Sequence, residues 1–191
     1  MPRNLKPVLL MTAIALGGCA STTERLRLPA LATVEKVEVN RYLGTWYEIA
    51  SFPQSFQKGC TATTATYSLR PDGELNVRNQ CHLEKVDGEL KVANGRARVV
   101  DLVTNARLEV SFFRPFWGDY WIIELEPDYQ YAVVGHPGRD YLWILSRTPT
   151  MDPARYDAIL GRLTERGYQI ERLNKTEQPE QPITPSVNDR G

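Results

Sequence analysis

The sequence predicts an all-β fold: an eight-stranded antiparallel up-and-down barrel with one C-terminal α-helix packed outside. Three observations carry that expectation. Short runs rich in β-branched and aromatic residues follow one another from Trp46 to Ser146, separated by turn-forming Gly, Pro, Asn and Asp. Gly44-Thr45-Trp46-Tyr47 opens the first run and Arg147 follows the last, about a hundred residues on, so a guanidinium can close over the Trp46 face and plug one end of a barrel. A single stretch of helical period comes only after the runs are complete.

Trp46 to Phe52 ends at Pro53. Thr61 to Leu69 and Leu75 to Cys81 flank Arg70-Pro71-Asp72-Gly73, where Pro presets φ and Gly accepts a positive one. Leu90 to Leu102 and Arg107 to Phe113 flank Thr104-Asn105. Tyr120 to Leu125 and Tyr129 to Val134 meet across Pro127-Asp128, and Tyr141 to Ser146 follows His136-Pro137-Gly138. The helix has Asp152 as its cap, Pro153 in its first turn, Tyr156, Ile159, Leu160 and Leu163 on one face, and Gly167 as its stop. Tyr168 to Leu173 is a candidate last strand. Eight hairpin-connected strands close most simply into an up-and-down barrel with room for one small ligand.

The chain has 191 residues, 42% hydrophobic and 24% charged, which fits one globular domain. Basic and acidic residues balance at 23 each, so the basic excess of a nucleic-acid binder is missing and no nucleic-acid partner is expected. At the N-terminus, Arg3 and Lys6 precede an apolar run from Pro7 to Leu16, the pattern of a secretory leader and too short for a permanent span. Leu16-Gly17-Gly18-Cys19 resembles the bacterial lipobox. That resemblance implies acylation of Cys19 as the new N-terminus, and Ala20 after it implies transfer to the outer membrane, with the lipid-anchored protein facing the periplasm. The expected organisation is a leader over 1–18, a lipidated N-terminus and tether over 19–38, a barrel domain over 39–175 and a disordered Gln-, Pro- and Glu-rich tail over 176–191.

Gly44-Thr45-Trp46-Tyr47, Asp128-Tyr129 and Arg147 match, in order and spacing, the three motif regions of lipocalins. The longer stretches Tyr42 to Ala50, Ala65 to Leu69 and Tyr141 to Pro149 resemble the bacterial outer-membrane lipocalins and their apolipoprotein D relatives. The resemblance spans roughly Asn40 to Leu173 and departs at Pro127, where lipocalins often carry Thr. It implies that Gly44, Trp46 and Arg147 close the barrel as structural residues, and that Tyr67, Trp143 and an aromatic at Trp117 lie at the ligand site.

Alternation along the strands extends that set, because neighbours on a strand face opposite sides. With Arg147 at the closed end, Leu145, Trp143 and Tyr141 share the inward face, and Val110 and Phe112 alternate with Glu109 and Ser111. The sixth run is contested. Polarity alone buries Trp121, Ile123 and Leu125, whereas the lipocalin register turns Tyr120 and Ile122 inward and takes Glu124 with them; the lipocalin register is adopted here. Phe112 to Tyr120 is rich in aromatics where a turn should be polar, which marks the rim of an apolar cavity, a membrane contact or a surface for homodimerisation, in that order. Arg114 beside it is either a solvated surface arginine or a partner for a phosphate or carboxylate. An aromatic-lined cavity in a lipid-tethered protein suits a fatty acid or lysophospholipid.

Cys60 and Cys81 lie on the arms of the hairpin at Arg70 to Gly73, directly opposed only if that hairpin contains a bulge or slip. In an oxidising compartment the pair is expected to form a disulfide. No cofactor or metal is expected: the two histidines, His82 and His136, lack metal-ligand spacing, and there is no phosphate loop or nucleophile elbow. A binding protein is therefore preferred, with a filled structural barrel, or an enzyme acting on a lipid, as the rival readings.

Overall fold

The structure is a computed structural model that describes residues 28–180. The expected leader, the acylation site Cys19 and residues 181–191 of the expected tail lie outside the described residues.

A one-turn helix α1 (Val39–Tyr42), not foreseen in the sequence, precedes β1 (Gly44–Ser51). There follow β2 (Cys60–Leu69), β3 (Leu75–Leu83), β4 (Leu90–Val99), β5 (Arg107–Phe113), β6 (Phe116–Leu125), β7 (Tyr131–Gly135) and β8 (Leu142–Ser146). Each strand from β2 to β8 pairs antiparallel with the next, β8 pairs with β1, and β1 returns to β2 to close the barrel. The connections at 70–74, 100–106 and 126–130 share the closed end with α1. Those at 52–59, 84–89, 114–115 and 136–141 share the open end.

The wall carries two cores, which explains why β7 and β8 read as continuous apolar runs. Inward residues, among them Trp46, Tyr67, Val77, Leu108, Ile122, Val134 and Leu145, form the inner core. Their outward neighbours Ile49, Phe52, Ile123, Val133 and Ile144 form a second core against helix α2 (Pro153–Glu165). That helix forms as the sequence predicts: the Asp152 carboxylate accepts the Arg155 backbone N–H at 2.9 Å, Pro153 occupies the first turn, and Tyr156, Ile159 and Leu163 are buried.

The contested strand β6 is resolved by a bulge between Ile122 and Glu124 in its pairing with β7. Tyr120 and Ile122 join the inner core, as the lipocalin register requires, and Ile123 joins the outer one. The extra residue then turns Glu124 outward, where it pairs with Arg162 of α2 and accepts the Tyr131 hydroxyl at 2.8 Å. The conflict in the sequence pattern came from assuming an unbroken alternation.

Three boundaries need correction. The segment 28–38 is not a free tether: Leu31 and Val37 are buried, and the Val34 and Val37 N–H groups donate to Ile122 O and Thr104 O. Tyr168 to Leu173 is not a strand but contains a 3-10 turn at Ile170–Arg172, and the short strand β9 (Asn174–Lys175) follows and pairs with β1. Residues 176–178, expected in a disordered tail, are hydrogen-bonded into the wall. Direct pairing of β1 with β2 stops at Tyr47 and Thr64. Beyond that point the Gln178 amide donates to both Glu48 O and Thr63 O, at 2.8 and 2.9 Å, and Glu177 O accepts the Ala62 N–H.

Candidate ligand cavity

The floor is built first. Gly44 has a φ of +91°, and a Cβ there would stand 3.5 Å from the Arg147 guanidinium, so the position suits glycine for its backbone angle and leaves the arginine room. Arg147 then lies over Trp46, with Cζ 3.7 Å from the ring centroid. Its N–H groups donate to the carbonyl oxygens of Arg41 and Thr45 at 2.8 and 2.9 Å and, more weakly, of Tyr129 at 3.3 Å. Trp46 is fully buried and donates its indole N–H to Tyr42 O at 2.8 Å. Gly44, Trp46 and Arg147 thus lie together at one end of the barrel.

Above this plug sit three buried tyrosines. The Tyr42 and Tyr67 hydroxyls each lie 2.8 Å from that of Tyr120. Burial pushes the Tyr67 hydroxyl up to about 12 and raises those of Tyr42 and Tyr120 as well. Neutral phenols satisfying one another make a polar but uncharged base for whatever lies above.

Over that base the barrel encloses a cavity of about 690 Å³, open at the far end. Its size falls within the range of about 300–1,000 Å³ usual for small-molecule sites. Tyr67, Val77, Val110, Tyr120 and Leu145 line the lower part. Tyr141 and Trp143 stack at 5.9 Å toward the mouth, and the His136 ring meets Tyr141 edge-on at 5.5 Å. The His136 Nε2 lies 3.6 Å from an Asp119 carboxylate oxygen, and its Nδ1 accepts the Gly138 N–H.

Two of the residues expected at the site do not line it. Trp117 is turned to the outside and stacks under Arg98, whose Cζ is 4.2 Å from the ring. The cause is register: β6 begins at Phe116, so Trp117 is a strand residue rather than a loop residue, and its neighbour Gly118 takes the inward place opposite Val110. Ile122 does face inward but belongs to the packed floor. Phe112 borders the cavity yet is 45% exposed, because a shift in the β5–β6 pairing after Val110 lays its ring over Gly95. Arg114 sits away from the cavity, in a shallow outer groove with Arg70 and Arg96.

Sequence reading missed the polar chain along one wall. Trp143 donates its indole N–H to Gln57 at 3.2 Å, and Gln57 donates its amide to Glu48 at 2.7 Å. The buried Glu48 carboxylate also accepts the Ser51 and Thr176 hydroxyls, so three neutral donors hold a carboxylate beside the cavity. Alternation from Trp46 would have placed Glu48 inward. Across the cavity, Asn79 presents a buried carbonyl oxygen with no hydrogen-bond partner among the described residues.

Cys60 and Cys81 are joined, with Cα atoms 5.4 Å apart. Cys60 stands opposite Leu83, and Cys81 faces the register shift between Thr61 and Thr64, where Ala62 has a φ of +46°, so the bridge runs diagonally across a bulge. The Cys81 thiol is thereby spent as a nucleophile, and the neighbouring His82 Nδ1 is engaged with Gly88 O at 2.8 Å.

The comparisons with known proteins agree with this geometry. Residues 37–178 match the profile of the lipocalin-like domain. The chain is 40% identical over 166 residues to the outer membrane lipoprotein Blc of Vibrio cholerae, covering 86% of this chain and 94% of that one. With the protein of the same name from Escherichia coli K12 the identity is 43% over 149 residues, or 78% and 84% of the two chains. Among solved structures, insecticyanin of the tobacco hornworm Manduca sexta superposes with a TM-score of 0.63 at 16% identity, covering 81% and 87%, a likeness of fold alone. The chain belongs to the lipocalin family, alongside the bacterial outer-membrane lipoproteins.

Proposed function

We propose that this protein binds a long-chain amphiphile, a fatty acid or lysophospholipid, in its barrel while tethered through acylated Cys19 to the outer membrane and facing the periplasm. The observation that carries the reading is the cavity itself: about 690 Å³, floored by neutral phenols, walled by aliphatic and aromatic residues, and polar chiefly along one wall and at the mouth. Burying an acyl chain gains about 0.8 kcal/mol per methylene. The Gln57, Asn79, His136 and Asp119 side chains offer hydrogen bonds to a headgroup. The same volume argues against a structural barrel filled by its own side chains.

The test begins with protein taken from its native envelope without detergent exchange, followed by extraction and mass spectrometry of any bound lipid. That lipid is then titrated against tryptophan fluorescence in the wild type and Trp143→Ala. The reading expects a copurifying amphiphile whose affinity falls about tenfold or more in the variant, since a truncated aromatic anchor costs over 1 kcal/mol. Absence of binding, or binding indifferent to Trp143, would overturn it, and turnover of the lipid would replace it with an enzymatic one.

A further inference from the structure

We propose that the open rim of the barrel, led by the tip of the β5–β6 hairpin, docks on the same bilayer that holds the N-terminal anchor. The cavity would then open onto the lipid surface. The inference rests on acylation of Cys19 and is independent of which cargo the cavity takes.

The segment that leads to the anchor lies at the open end. Arg139, in the open-end connection 136–141, donates to Pro29 O at 2.7 Å. Leu28 packs at Gly167, just beyond the end of α2. From there the chain runs down the outside of the wall to Thr104 at the closed end and turns through α1 into β1. The attachment point is therefore on the open side. Cys19 precedes Leu28 by nine residues, a span of at most ~30 Å at full extension. The ten residues of β2 rise about 33 Å along their own axis, or about 25 Å along the barrel axis at the usual strand tilt. Seating the closed end on the membrane would draw the tether out along almost the whole wall, whereas seating the rim leaves it slack.

The rim also exposes apolar rings. Phe113 and Phe116 are 75% and 69% exposed, and their rings stack at 6.2 Å on the two sides of the Arg114-Pro115 turn. Phe56, in the open-end connection 52–59, is 58% exposed. Apolar rings at a hairpin tip are suited to the boundary between headgroups and acyl chains. Arg114 between them can keep its guanidinium at headgroup level while the rings enter. The closed end also exposes aliphatic side chains, Leu102 and Val103, and these supply the control.

The test uses the acylated full-length chain in vesicles of phosphatidylethanolamine and phosphatidylglycerol (3:1) doped with a photoactivatable phospholipid, with adducts mapped by mass spectrometry. Adducts are expected in peptides covering 112–117 and 54–58. Phe113→Ser with Phe116→Ser should lower their yield about tenfold or more, the scale of losing two buried rings, whereas Leu102→Ser with Val103→Ser should leave it unchanged. Adducts concentrated at 100–105, spread evenly over both ends, or missing from the rim would overturn the proposal, as would a chain that fails to float with the vesicles. Adducts confined to the Tyr67 and Trp143 peptides would overturn docking while supporting cargo binding, so the two readings can fail separately.

Discussion

Arg147 stacks on Trp46 at 3.7 Å while its N–H groups reach three backbone carbonyl oxygens, two of them at 2.9 Å or less, so one side chain ties the end of β8 to α1, β1 and the β6–β7 turn. Replacing it removes the stacking and leaves those carbonyl groups to find water. Arg147→Ala is expected to lower unfolding free energy by about 3 kcal/mol in a urea titration. Arg147→Lys should recover only part of that, because an ammonium cannot reproduce the planar fork.

Gly118 lines the cavity opposite Val110, and a Cβ built there meets nothing within 4 Å. Gly118→Phe should fill the cavity without strain. Amphiphile affinity is expected to fall about tenfold or more, with the urea midpoint close to that of wild type. Unchanged affinity would mean that the ligand sits elsewhere.

The disulfide closes a loop with a sequence separation of 21. Cys60→Ser with Cys81→Ser should cost about 3 kcal/mol, largely by freeing the unfolded chain. Thermal unfolding of the double variant should match that of wild type in reductant.

The buried phenols predict an alkaline limit. Unfolded tyrosine ionises near 10, whereas Tyr67 is held at about 12 and Tyr42 and Tyr120 are also raised. Below pH 10 both states keep their protons and these groups leave stability flat. Above it the unfolded state alone loses protons, so stability falls toward pH 12 by up to about 1.4 kcal/mol per unit for each tyrosine. Urea midpoints measured from pH 9 to 11 should show the break, with a shallower slope in Tyr67→Phe.

Much of this was legible before the structure. Turn residues delimited the strands, and the period of Tyr156, Ile159 and Leu163 gave the helix its buried face. What escaped depends on irregularities that leave no mark on an alternation pattern. The bulge after Ile122 sends Glu124 to Arg162, and the onset of β6 at Phe116 puts Gly118 rather than Trp117 inside. Residues 28–38 and 176–178 hide their role for another reason. Their composition is that of linkers, but their backbone groups complete the hydrogen bonding of strands and turns far away in sequence.

The seam between β1 and β2 illustrates the cost of that arrangement. Strand pairing at this joint covers only Gly44 to Tyr47 against Thr64 to Tyr67, and the half beyond it is stitched by a single glutamine side chain and two residues beside it. A chain made from its N-terminus has all eight staves before it has Gln178. The container is sealed by residues that lie after every stave in the sequence, and trimming the chain just past β9 is expected to leave the barrel standing with a slit down its side.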